Sequence, residues 1–132
     1  MEKIVAALWA GERADGDRTT FNKRLRTELP DSLRAAGARH IRLNLRDAAV
    51  EAGAGLVQSW QSPQQDAIVQ FWVQSANDRF RAGIDAALAA CSARFAAWLV
   101  TESVIIPNTA FPPAPGERTH GWSQASFISF RP

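Results

Sequence analysis

The chain has 132 residues, of which 46% are hydrophobic and 21% charged, with a formal net charge of +2. This length fits one domain that buries roughly two-thirds of its unfolded surface, so a core can form without metals or disulfides. Basic and acidic residues are interleaved, no apolar stretch approaches the ~20 residues of a membrane span, and no signal-peptide pattern is present. We therefore expect a cytoplasmic protein with neither a nucleic-acid partner nor a membrane partner.

The first half of the chain predicts a strand, a helix and a second strand. Lys3–Ala10 is short and apolar, as in a buried strand, whereas Arg39–Arg46 alternates between apolar and polar side chains, as in a half-buried strand. The helix between them should kink near Pro30, which lacks an amide hydrogen, and end at Gly37. Its apolar face, at a spacing of four, consists of Phe21, Leu25, Leu29 and Leu33.

The second half predicts a strand, a helix and a strand again, after a long loop at Asp47–Gln65, with or without a short helical turn. Asp66–Gln74 alternates like a half-buried strand, and Ala97–Ile106 is rich in β-branched residues. The helix between them begins near Ser75 and Asp78, which resemble a capping box. Its predicted core stripe consists of Phe80, Ile84, Leu88, Cys91 and Phe95.

The order βαββαβ predicts a ferredoxin-like α+β domain, in which a four-stranded antiparallel sheet carries both helices on one face. The other face would hold Trp and Ile side chains among polar ones, so we expect a second copy to cover it by two-fold symmetry. This domain is predicted to span residues 1–107, followed by a Pro-rich linker and a C-terminal strand over residues 108–132. The tail is either an extra edge strand or the start of a second repeat. As an edge strand it could pair within its own copy or be exchanged with a second copy.

Polar and aromatic residues on the predicted uncovered face are the best candidates for a ligand site. Trp supplies contact area for a planar ligand, and Arg or Asn can fix a carbonyl or phenolate oxygen. The alternative is that these residues only form the dimer interface, where Trp and Arg are enriched. The candidates are Arg42, Asn44, Gln70 and Trp72, with Trp9 added if the first strand faces that way.

Two residues are candidates for acid–base catalysis. His40 lies on the polar side of its strand, although a lone histidine there is more often solvated or hydrogen bonded. Glu102 in the last strand would act as a base only if it were buried, and a structural ion pair with an Arg is the alternative. Cys91, the only cysteine, is expected to be an inert core thiol. Metal-ligand spacing is absent from the sequence, so we predict no metal site.

Four segments carry a resemblance to a known family. They are the opening strand KIVAALWA, the Thr-Phe start of the first helix with Pro30 after it, the segment DAIVQFWVQS from Asp66, and the closing strand WLVTESVIIP. Together they span about Lys3–Pro107 and resemble the EthD family within the dimeric α/β-barrel group. Gly121–Pro132 is also similar to the phrase that begins the second half of tandem family members.

The resemblance implies a barrel-like homodimer that holds a small organic ligand between sheet and helices, without a cofactor. Family relatives are implicated in dehydration, decarboxylation or cyclisation of aromatic polyketides, so the expected function is cofactor-free lyase or cyclase chemistry on an aromatic or polyketide-like compound. The alternatives are a non-enzymatic binding or structural half of a larger tandem assembly, and a cofactor-free monooxygenase.

This chain departs from the family pattern at two places. Many members carry a Trp and then a His near the end of the first helix, where this chain has Leu25 and Glu28-Leu29. Many also carry a Glu in the third strand, where this chain has Gln70. A His and a buried carboxylate are the ordinary tools of acid–base chemistry.

Overall fold

The computed structural model describes residues 1–11, 18–56 and 64–102. Met1–Thr101 forms one compact unit, and Glu102 belongs to a second unit of the chain. The predicted linker and C-terminal strand at residues 108–132 lie outside the described residues. Among the helices of the described residues, none has the length and apolar character needed to cross a membrane.

Four strands form one antiparallel sheet. They are β1 (Glu2–Trp9), β2 (Arg39–Leu45), β3 (Ala67–Val73) and β4 (Arg94–Val100). Their order across the sheet is β2-β3-β1-β4, so each half of the chain contributes two strands that are not neighbours. This confirms the predicted α+β class and the four-stranded antiparallel sheet, and the topology is compatible with a ferredoxin-like fold.

Three α-helices pack on one face of this sheet. They are α1 (Arg18–Thr27), α2 (Leu29–Ala35) and α3 (Asp78–Cys91), and a 3-10 helix at Ala48–Leu56 follows β2. The core lies between the helices and the sheet because alternate residues of β1 and β3 meet the apolar faces of the helices. Its largest fully buried side chains are Phe71, Leu8, Leu25, Leu29, Leu33, Ile84, Leu88 and Val69.

The predicted first helix is interrupted where the sequence indicated. Pro30 lies in the first turn of α2, and Glu28 separates this helix from α1. The end of α2 is a Schellman motif, in which the Gly37 amide donates to the Arg34 carbonyl at 3.0 Å. The Ala38 amide donates to the Leu33 carbonyl at 2.8 Å, and Gly37 has a φ of +93°. Both the kink and the stop at Gly37 are therefore confirmed.

The second helix begins at Asp78, close to its predicted start, but its predicted capping box and the two outer residues of its helical stripe were wrong. The residue before α3 is Asn77, without a side-chain cap hydrogen bond, so Ser75 and Asp78 do not form a capping box. Phe80 is 55% exposed in the first turn, where the Arg79 guanidinium lies over its ring.

The helix also ends earlier than the apolar stripe suggested. Ser92 adopts an extended backbone directly after Cys91, so Phe95 belongs to β4 rather than to α3. Phe95 still packs against the core, which explains why a helical spacing fitted it. As a result β4 begins at Arg94, three residues before the predicted start.

Replacing Gly11 by Ala should destabilise the protein more than replacing Gly37 by Ala. Both glycines have positive φ angles, of +84° and +93°, which cost an Ala about 1 kcal/mol. Only at Gly11 would the new Cβ also meet a neighbour, Ala93 Cβ at 2.8 Å, which adds roughly 1–3 kcal/mol of overpacking.

The free energy of unfolding measured by urea denaturation tests this order. Gly53→Ala is the control, because Gly53 has no positive φ and an added Cβ there meets nothing within 4 Å. Equal losses at Gly11 and Gly37 would contradict the close approach to Ala93.

Candidate functional site

The register of the strands defines the face of the sheet that lies opposite α1–α3. In antiparallel pairs, residues directly opposite each other lie on the same face. Ile4, Ala6 and Leu8 belong to the core beneath the helices, so the intervening residues of β1 and their partners form the other face. We call this the distal face. Its strand residues are Lys3, Val5, Ala7, Trp9, Arg39, Arg42, Asn44, Ile68, Gln70, Trp72, Arg94, Ala96, Trp98 and Val100.

The sequence-predicted ligand residues all lie on the distal face. Arg42 is paired with Gln70, and Asn44 is paired with Ile68. Trp72 is paired with Lys3, and Trp9 is paired with Arg94 at the opposite end of β1. Thus Arg42, Asn44, Gln70, Trp72 and Trp9 share one face, and the question left open for Trp9 is resolved.

Two residues of this face were missed by the sequence analysis. Trp98 and Arg94 lie in β4, whose orientation the sequence left undecided because both of its faces carry apolar side chains. Trp98 lies on the edge strand β4, pairs with Val5 of the inner strand β1 and is 51% exposed. The sequence does show a Trp in this strand. Which face that Trp lies on follows only from the register of β4 with β1.

Cations already lie against two of the three tryptophan rings. Arg94 Cζ is 4.1 Å from the centroid of the Trp9 ring, and Lys3 Nζ is 5.9 Å from that of Trp72. Such contacts contribute about 0.5–1 kcal/mol at exposed sites and more where water is excluded. Of these three tryptophans, Trp98 is exposed, whereas Trp9 and Trp72 are partly buried.

The distal face has an apolar centre and a polar margin. Val5 and Ala7 on the central strand β1 are 6% and 7% exposed. Arg42 and Asn44 on the edge strand β2 are exposed. Val5 and Ala7 are already covered within one chain, so a flat apolar group would rest on the exposed Trp98 ring, while the guanidinium and amide groups could bind its oxygen atoms.

His40 lies in a β-bulge beside this face. Arg39 is paired with Trp72 and Arg42 with Gln70, so His40 and Ile41 together oppose a single residue of β3. The strict alternation predicted for this strand is therefore broken at His40, which is exposed and has a φ of 51°. Bulges often occur beside functional sites, where they redirect side chains.

Glu102 lies two residues after the end of β4 rather than within it. Its side chain is exposed, whereas its predicted role as a base required burial. It also makes a contact of its own and belongs to the second unit of the chain.

A polar cluster at one end of the sheet was also missed. Asp66 accepts a hydrogen bond from the Ala10 amide at 2.9 Å and pairs with Arg18 at 3.2 Å. The Asn22 side chain is buried and donates to the Arg46 carbonyl at 3.1 Å. These contacts join the start of α1 to the ends of three strands, which gives the cluster a structural role.

Cys91 is a buried thiol in the core. Burial is the largest cause of its raised pKa, and the nearby Glu28 carboxylate raises this pKa further while Arg24 lowers it. A raised pKa suppresses the reactive thiolate, in keeping with the predicted inert thiol. Within residues 1–11, 18–56 and 64–102, no group of three or more His, Cys, Asp or Glu is arranged to hold a metal ion.

Comparison of the sequence with protein-family models finds no match, and comparison with curated proteins finds none either.

The positive φ of His40 predicts that Gly stabilises the protein more than Ala at this position, the reverse of their usual order in a strand. At a positive φ, His40→Gly should be more stable than His40→Ala by about 1 kcal/mol, because Ala keeps the Cβ strain that Gly lacks. At Asn44, an exposed residue of the same strand without a positive φ, the order should reverse. Thermal and urea unfolding of the four variants measure both differences. The same order at both positions would contradict the bulge.

The buried Cys91 thiol predicts a loss of stability at alkaline pH. The folded protein keeps this thiol neutral at a raised pKa, while the unfolded chain ionises near the ordinary value of 9.0. Between these two pKa values the unfolded state binds fewer protons, so the free energy of unfolding should fall as pH rises above 9.0.

Urea denaturation across this pH range, in parallel with Cys91→Ala, isolates the contribution of the thiol. The variant should show a smaller decline with pH, and the native thiol should react with a disulfide reagent only slowly before unfolding. Identical declines in both proteins would exclude the thiol as the cause.

Proposed function

We propose that this protein is a homodimer that binds a small planar organic compound on the distal face of its sheet. One observation carries the proposal: three tryptophans share this face with the polar residues Arg42, Asn44 and Gln70. Aromatic rings provide flat contact area at a low entropic cost, and the polar groups select oxygen atoms on a ligand.

Pairing through the distal face is supported by an exposed aromatic side chain on its edge strand β4. Trp98 is 51% exposed, and Trp and Arg are the residue types most enriched where proteins associate. Face-to-face packing of two like sheets, about 10 Å apart, would bury this side chain and enclose the space above Val5 and Ala7. In a two-fold dimer each ligand would then lie between the two copies. This differs from the position between sheet and helices that the resemblance implies, where core side chains such as Phe71 and Leu88 are fully buried.

The resemblance to EthD proteins suggests which reaction such a dimer would perform. It supports a cofactor-free lyase or cyclase that dehydrates, decarboxylates or cyclises an aromatic or polyketide-like compound. Under this proposal Trp72 and Trp98 hold the ring system, and Arg42 with Asn44 and Gln70 binds its carbonyl or phenolate oxygens. His40, at the bulge beside Arg42, is the acid–base candidate.

A specific observation favours a non-enzymatic binding role as the second candidate. The strand residues of the distal face include neither a histidine nor a carboxylate. At the positions where family members carry a Trp and a His, Leu25 and Leu29 are fully buried. Glu28 is exposed and forms an ion pair with Arg24 at 3.3 Å. Such a protein would bind its ligand or a partner domain without turning it over.

Ligand binding is tested by calorimetric titration with 2-naphthol, a planar phenol. We expect saturable binding that weakens roughly tenfold in Trp72→Ala and in Trp98→Ala, because loss of an aromatic anchor costs about 1–3 kcal/mol. Phe80→Ala is the matched control, since this exposed aromatic lies on α3, on the other side of the sheet. Absence of saturable binding, or equal binding by all variants, would contradict the proposal.

The reaction class is tested separately on a compound that binds. Product analysis of a bound polyketide-like substrate under anaerobic conditions detects lyase or cyclase turnover, whereas oxygen consumption with a bound quinol indicates a cofactor-free monooxygenase. Tight binding without change in either assay supports the non-enzymatic role.

A further inference from the structure

The arginines of the distal face differ from those of the helices in their partners. Arg39, Arg42 and Arg94 are exposed, and none forms an ion pair with a residue that the structure describes, although Arg94 lies over the Trp9 ring. The strands contribute no carboxylate to this face. Lys3 also lies on this face, but it is buried and makes a further contact, unlike the three exposed arginines.

The helices show the opposite arrangement. Apart from Arg79, which lies over the Phe80 ring, each of their arginines has a carboxylate partner within 3.3 Å. The pairs are Arg18–Asp66, Arg24–Glu28, Arg26–Asp47, Arg34–Asp31, and Arg81 with Asp78 and Asp85. Three of the four exposed arginines that have no carboxylate partner among the described residues therefore lie on the distal face, and the fourth, Arg79, lies on α3. Lys23 on α1 is one further exposed cation without such a partner among these residues.

The charge of the distal-face arginines opposes the pairing of two copies. In a face-to-face two-fold dimer, both copies contribute the same arginines to the interface, whatever the direction of the axis. The two sheets there lie about 10 Å apart. That separation is comparable to the Debye length of about 10 Å at 0.1 M salt, and exclusion of water weakens the screening further. Apolar contacts favour the dimer, while like charges work against it.

We propose that an organic anion between the two sheets supplies the missing counter-charge, so that ligand binding and dimerisation are coupled. This inference rests on the proposed function and adds the chemical class of the ligand: a planar aromatic carboxylate or phenolate. Its ring would stack on Trp98, and its oxygens would accept hydrogen bonds from the guanidinium of Arg42, for which a two-oxygen anion is a strong partner. An uncharged compound of the same shape fits the aromatic surface but leaves the repulsion in place.

Sedimentation analysis with 2-naphthoate and its neutral isostere 2-naphthamide tests the coupling. At low ionic strength, saturating naphthoate should tighten dimerisation roughly tenfold or more, and naphthamide should have little effect. Raising the salt concentration should strengthen ligand-free dimerisation, because repulsion is screened, and should reduce the advantage of naphthoate.

Substitution of one arginine gives two effects of opposite sign. Arg42→Gln should tighten ligand-free dimerisation roughly three- to tenfold at low salt while reducing the effect of naphthoate. Arg34→Gln is the matched control, because it makes the same change in net charge on α2, opposite the distal face. It should change neither quantity. Thermal unfolding confirms that both variants are folded before they are compared.

The outcomes separate this inference from the proposed function. If naphthoate and naphthamide act equally, or if Arg42→Gln weakens the ligand-free dimer, the anion coupling is overturned while the dimer and its ligand stand. If the protein stays monomeric under every condition and binds neither 2-naphthol nor naphthoate, the proposed function fails as well. A single-stranded oligonucleotide that binds more tightly than naphthoate and keeps the protein monomeric would overturn both in favour of a nucleic-acid surface.

Discussion

The structure depends on a central strand whose side chains are buried on both sides of the sheet. All residues of β1 from Lys3 to Leu8 are buried, although α1–α3 pack only against Ile4, Ala6 and Leu8. Val5 and Ala7 point to the distal face, where neighbouring strands place large side chains around them. A strand that is apolar on both faces is usual where both faces of a sheet are covered. This constraint makes the distal face the place to look for a partner and a ligand.

Charge distinguishes the two sides of the sheet as clearly as helix packing does. On the helix side, ion pairs such as Arg34–Asp31 and Arg81–Asp85 balance most of the arginines locally, and their exposed positions make each worth little in stability. On the distal face, Arg42 and Arg94 have aromatic and amide neighbours but no carboxylate from the strands. The combination of apolar centre and unbalanced charge favours a ligand that is both flat and anionic over a purely apolar partner surface.

Much of the fold could be predicted because the conformational preferences of individual residues matched the structure that these residues adopt. The alternation of β3, the interruption at Pro30 and the stop at Gly37 each have a local cause and were confirmed. The errors arose where tertiary contacts decide. Phe95 suited a helical stripe but packs against the core from β4.

The candidate site was predictable in part for the same reason. Alternation placed Arg42, Asn44, Gln70 and Trp72 on one face without knowledge of pairing. Trp98 was missed because both faces of β4 are apolar, so only its register with β1 reveals which way it points. The bulge at His40 was also invisible, since a histidine carries no signal for a positive φ as a glycine does.

The central claim, that two copies pack through their distal faces, is tested most directly by the distance between spin labels on the two copies. Asn44→Cys places a label on the distal face, and Arg34→Cys places one on α2, while the buried native Cys91 stays unlabelled. With sheets about 10 Å apart, the account predicts a short distance between labels at residue 44 and a clearly longer one at residue 34. No dipolar coupling at residue 44, or a shorter distance at residue 34, would contradict it.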